Sequence, residues 1–203
     1  MTMIASITPA PQHCWTQWDD DKRKECLKLC VDFNVSIEQD LILINVTTQT
    51  LHHLKYGKWI GSYIISSGSN GIGQKKGSGQ TPLGLHIIES KIGDGEHSFA
   101  VFKGRVPTGE IAKSNEGGDL IVGRILRLRG VQPGFNQGND VDSYERFIYI
   151  HGTNEIAWLG RPASAGCIRM HPKEIVDFFD RIPAGTPVLI YTQTTTTIKF
   201  CAS

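Results

Sequence analysis

The sequence predicts a mainly β domain with short peripheral helices. Three observations carry that expectation: successive short runs rich in apolar and β-branched residues, Gly-rich turns between them, and helical periodicity confined to two short segments near the ends. The 203 residues suffice for one good-sized core plus an extension. Residues 1–39 read as an N-terminal extension with one short helix, residues 40–191 as the domain, and residues 192–203 as a C-terminal tail.

In chain order, residues 19–33 place acids at the start of a helical pattern, and Cys26 and Cys30 share one of its faces. Packing against the domain is the favoured use of that face. A zinc site completed by His13 and Cys14 is disfavoured, because this spacing on a helix is not a usual knuckle. Residues 41–46, 50–54 and 59–65 read as successive strands with a turn at 56–58, which makes a β-meander. Residues 66–79 are too rich in Gly and Ser for a strand. Residues 106–119 read as another Gly-rich connection, and 120–128 as a half-buried strand whose Arg124 and Arg127 do not share a face. Residues 132–144 form a lid or a plain surface loop. His52, His53, His86 and His97 lack ligand spacing to acids or cysteines and read as structural or surface histidines.

Residues 147–150 form a strand-like run that delivers His151-Gly152-Thr153, and sixteen residues after that histidine comes Cys167, within Ser164-Ala165-Gly166-Cys167-Ile168-Arg169-Met170. Residues 172–182 then carry Ile175, Phe178, Phe179 and Ile182 on one helical face, with Pro172 suited to the first turn and Pro183-Ala184-Gly185 as the stop. Cys167 is thus expected on the approach to a helix N-terminus, where the dipole and Arg169 would favour a thiolate. A thiolate, a base and backbone N–H groups for an oxyanion are the parts of thiol acyl transfer. The alternative is a buried, inert cysteine.

Charge excludes little beyond nucleic acid. Lys and Arg total 21 against 20 Asp and Glu, for a net charge of +1, and the cations are scattered rather than clustered. No run approaches the ~18 apolar residues of a membrane span, and the opening residues show neither a basic segment nor a sustained apolar one. Five cysteines without dense spacing fit a reducing compartment. The expected location is therefore the cytoplasm, or the periplasm if a native signal peptide precedes residue 1. No cofactor is called for.

From about residue 40 to 191 the chain resembles the L,D-transpeptidase catalytic domain, the YkuD family. Gly79-Gln80-Thr81-Pro82-Leu83-Gly84 is similar to the family's T-P-x-G segment, residues 149–153 to its histidine segment, and residues 164–170 to its cysteine motif. The resemblance implies a YkuD-type β-sandwich and attack on peptidoglycan stem peptides or muropeptides, at the bond between a diamino acid and the following D-alanine. It makes Cys167 the nucleophile, His151 the base, and the Gly152 carbonyl the group that orients the imidazole. The N–H groups of Gly166 and Cys167 would receive the oxyanion, and Arg169, Ser164 and Thr81 would touch substrate, although Arg169 could equally be a structural salt-bridge partner. Residues 66–79 become a substrate-side loop rather than a phosphate cradle.

Ala165 departs from the family, whose cysteine motif usually carries a second histidine there. Its absence would weaken oxyanion or acceptor binding, change the acceptor, or mark a catalytically silent peptidoglycan-binding domain. The acyl group on Cys167 passes to water in an L,D-carboxypeptidase and to an amine in a wall-crosslinking transpeptidase; the expected use is trimming of tetrapeptide muropeptides to tripeptides in cell-wall recycling.

Overall fold

The computed structural model describes residues 17–193. His13, Cys14 and most of the tail lie outside the described residues, so neither the four-ligand zinc idea nor the reading of the tail as a strand or a frayed end meets a structure.

Helix α1 (Gln17–Asp32) precedes three antiparallel strands, β1 (Asp40–Asn45), β2 (Thr50–Lys55) and β3 (Lys58–Ser66), which form the expected meander. The tight β2–β3 turn requires positive φ at Tyr56 and Gly57. The chain continues through β4 (Gly84–Ile92), β5 (Ala100–Lys103), β6 (Val106–Ile111), β7 (Ile121–Gly130), β8 (Tyr149–Thr153), β9 (Ile168–Met170), helix α2 (Pro172–Arg181) and β10 (Pro187–Tyr191). The strand order is β4-β10-β1-β2-β3-β9-β8-β7-β5-β6, and β4 also pairs with β7. One side of β7 meets β8, while its other side is shared by β5 at Ile121–Val122 and β4 at Ile125–Gly130. The layers of the domain are therefore parts of one sheet that closes on itself.

Alternation along β1 shows how the layers are filled. Ile42 and Ile44 enter the central core, while Leu41 and Leu43 face the other way into a second cluster with Cys26 and Cys30 of α1. Strand β10 repeats the pattern, with Val188 and Ile190 inward and Leu189 and Tyr191 outward. Both strands are wholly buried because α1 covers the outer face.

Helix α2 supplies Ile175, Phe178 and Phe179 to the central core, and Ile182 just past its end joins them. At about 1.5–3 kcal/mol per fully buried apolar side chain, this face fixes the helix against β7 and β8. His171 caps its start by accepting the Lys173 N–H through Nδ1 at 3.3 Å, and Lys91 Nζ donates to the Phe179 carbonyl at 2.6 Å near its end.

The reading of 106–119 as plain connection is corrected by β6, an edge strand exposed at all six positions and paired to β5. The 132–144 segment is anchored rather than lid-like. Asn136 is buried and donates through Nδ2 to the Leu83 and Leu85 carbonyls, and buried Ser143 meets His86 Nε2 at 3.0 Å.

Candidate active site

Two neighbouring parallel strands build the site. In the β8–β9 register Ile150 stands beside Ile168, His151 beside Arg169, and Gly152 beside Met170. Ile150, Ile168 and Met170 enter the central core. Strict alternation then turns Tyr149, His151, Cys167 and Arg169 to the opposite face. Cys167 accordingly packs against the small cluster of Ala100, Phe102, Ile125 and Tyr149.

His151 is buried, and its Nδ1 lies 2.9 Å from the Gly152 carbonyl oxygen. A carbonyl only accepts, so Nδ1 carries the proton and Nε2 keeps the basic lone pair. Position 152 must be glycine, since a Cβ there would come within 2.5 Å of the Val122 carbonyl oxygen and 3.0 Å of Ile175 Cγ2. The residue that orients the imidazole is thereby also the point where β8 presses on β7 and α2.

The Cys167 thiol donates to the Phe147 carbonyl at 3.3 Å. Burial pushes its pKa up to about 11, opposed by the Tyr149 backbone and by the positive charges of Arg169 and Arg146, while Asp119 adds to the rise. Burial likewise lowers His151 to about 4. At neutral pH the resting pair is thus a neutral thiol and a neutral imidazole. The expectation that a helix N-terminus favours the thiolate is corrected, because β9 stands between Cys167 and α2 and a helix dipole fades within its first turn.

The motif's other polar groups brace the cysteine loop. Buried Ser164 donates from Oγ to the Cys167 carbonyl at 2.6 Å and accepts the Gly166 N–H at 3.1 Å. Buried Thr81 donates from Oγ1 to the Gly166 carbonyl at 3.0 Å and accepts the Gly68 N–H at 2.8 Å. Both hydroxyls are spent on backbone rather than turned toward substrate, which corrects their reading as substrate-binding groups. The Gly166 N–H, expected in an oxyanion hole, is engaged by Ser164, which leaves the Cys167 N–H the freer of the two. Gly166 adopts φ +118°, and a Cβ there would lie 2.9 Å from the Gln80 carbonyl oxygen. The Gly-rich 66–81 segment is stitched alongside: Ser67 O accepts the N–H groups of Ala163 and Ser164 at 2.8 Å each.

Arg169 follows the structural alternative. It is buried and its guanidinium is paired with the carboxylates of Asp119 and, at 3.3 Å, Glu155. Sequence reading missed both acids, as well as Arg146 and Phe147, because their partners are distant in the chain. The four histidines read as structural or surface groups have partners: Asp40 for His53 at 2.6 Å, Ser62 for His52 at 2.6 Å, Ser143 for His86, and the Phe99 N–H for His97. Among the described residues no group of three or more His, Cys, Asp and Glu is arranged to hold a metal, and no helix is long and apolar enough to cross a membrane.

The family model of the YkuD L,D-transpeptidase catalytic domain matches residues 39–190. The chain belongs to that family. Among curated relatives, the YkuD-domain chain is 50% identical to YqjB of Bacillus subtilis (strain 168) over 54 residues, 26% of this chain and 31% of that protein. It is 49% identical to YkuD of the same strain over 41 residues, 20% of this chain and 25% of that one. The aligned stretches thus span a third or less of these relatives. Among solved structures, L,D-transpeptidase 3 from Mycobacterium tuberculosis superposes with a TM-score of 0.48 at 15% identity, over 75% of this chain and 61% of that one.

Proposed function

We propose that this YkuD domain is a cysteine acyl transferase that cleaves the bond between the diamino acid and D-alanine of a peptidoglycan stem peptide through a thioester on Cys167. The observation that supports the reading is the pairing of β8 with β9, which brings the His151 and Cys167 segments side by side, with Nδ1 of the histidine held by the Gly152 carbonyl and Nε2 left basic. As the thiol is neutral at rest, it must leave the Phe147 carbonyl and pass its proton to Nε2 as sulfur attacks. The Cys167 amide receives the oxyanion, and the imidazolium returns its proton to the departing amine. A water deprotonated by Nε2 then opens the thioester.

Water is the favoured acceptor, which makes the enzyme an L,D-carboxypeptidase that trims tetrapeptides to tripeptides in muropeptide recycling, with the cytoplasm as its compartment. Cys26, Cys30 and Cys167 are all free thiols, in keeping with a reducing environment. Ala165 lacks the imidazole that the resembled motif usually carries there but leaves Cys167 and His151 in place.

The test is incubation with a disaccharide tetrapeptide and mass analysis of the products. A tripeptide with free D-alanine supports hydrolysis. Dimers linked between two diamino acids would assign the wall-crosslinking branch, and an unchanged substrate that nonetheless binds would assign a silent binding domain.

A further inference from the structure

The cation best placed to meet a substrate at this site is one the motif does not contain. Beside the cysteine loop lies a cleft of about 410 Å³ lined by Lys76, Glu145, Arg146, Phe147, Ile148 and Ala165, among others. It adjoins the nucleophile, because the Phe147 carbonyl holds the thiol and Ala165 stands two residues before it. Arg146 donates Nη1 to the carbonyls of Gly73 at 3.0 Å and Gln74 at 2.7 Å, and Nη2 to that of Gln80 at 2.6 Å. The Gln80 oxygen is the same atom that crowds Gly166, so a single carbonyl separates the guanidinium from the cysteine loop.

A charge count distinguishes the two arginines. Arg169 is neutralised by two carboxylates, whereas every hydrogen bond Arg146 makes is to a neutral carbonyl. A guanidinium has five N–H donors, so Arg146 retains two. Exposed Lys76 adds a second cation at the rim and exposed Glu145 one anion, leaving the cleft net positive. Its apolar wall of Phe147, Ile148 and Ala165 suits a methyl side chain.

From this geometry we infer that Arg146 is a specificity residue that binds the free carboxylate of the leaving D-alanine, so that the enzyme selects stem peptides ending one residue past the scissile bond. The inference rests on the proposed function. That carboxylate is separated from the scissile carbonyl by one nitrogen and one α-carbon, which keeps it within about one residue's length, ~3.8 Å, of the attacked carbon.

The test compares kcat/KM for a disaccharide tetrapeptide with a free C-terminus and for its C-terminal carboxamide. Wild type should favour the free acid by about tenfold or more, chiefly through KM, as the loss of a charge-assisted hydrogen bond implies. Arg146→Met should lose that preference and Arg146→Lys should keep part of it. The wild-type ratio needs no variant to fold. Equal rates on both peptides would overturn the inference while leaving the proposed function standing, as would a preference that survives in folded Arg146→Met. Turnover of neither peptide would overturn both.

Discussion

The thiol of Cys167 donates its hydrogen bond to the main-chain carbonyl of Phe147, at 3.3 Å. Phe147 presents that carbonyl with φ +58°, a left-handed conformation that costs a bulky residue of order 1–3 kcal/mol. The nucleophile is therefore parked at the point of backbone strain beside the site, and attack requires it to turn.

With its pKa near 11, the resting thiol is ionised to roughly one part in ten thousand at pH 7. Alkylation of Cys167 by iodoacetamide should accelerate steadily through pH 9 without a plateau near neutrality. A neutral-pH plateau would mean that the thiolate–imidazolium pair already exists in the free enzyme.

Cys167→Ala should abolish turnover and leave the thermal midpoint close to wild type, since the sulfur makes only weak hydrogen bonds to backbone. His151→Ala should lower kcat by about a hundredfold or more, the usual weight of a general base. Both are read by product analysis alongside circular dichroism. Turnover by a folded Cys167→Ala protein would rule out the thioester.

Thr81→Val keeps the shape of the side chain and deletes the hydroxyl that joins Gly68 to Gly166. Leaving those two groups unpaired should cost about 1–3 kcal/mol in urea unfolding and reduce kcat by loosening the cysteine loop. Thr81→Ser, which restores the hydroxyl, should recover most of both. A Thr81→Val enzyme with undiminished stability would show that the bridge contributes nothing.

Burial holds His86 at about 4, below its ordinary 6.5, between the Gly84 carbonyl and Ser143. Protonation then favours the unfolded chain. The contribution is complete above pH 6.5 and is lost as pH falls toward 4, a window shared with His151. Urea midpoints should drop across that window, and His86→Gln should flatten the drop relative to wild type. An identical pH slope in the variant would place the acid sensitivity elsewhere.

What the sequence revealed of this molecule was what neighbouring residues encode. Strands β1 to β3 and helix α2 are legible because their apolar residues recur at a fixed period, and the histidine and cysteine segments because each is a short continuous string. Strand β6 was missed because every position is exposed, so it has no apolar face to recognise. Ser164 and Thr81 were read outward because a loop hydroxyl looks the same in the sequence whether it faces a ligand or a backbone amide. The carboxylates of Asp119 and Glu155 reach Arg169 from 50 and 14 residues away, and Arg146 clamps carbonyls 66 to 73 residues earlier. No local pattern announces such meetings; only the closed sheet creates them.

The doubled carboxylate at Arg169 bears on how this chain can change over generations. Substituting Asp119 or Glu155 alone leaves the buried guanidinium with one acid, which still offsets its charge, while losing both strands a buried cation. Each position can therefore drift in turn without leaving the guanidinium unpaired, provided the other holds.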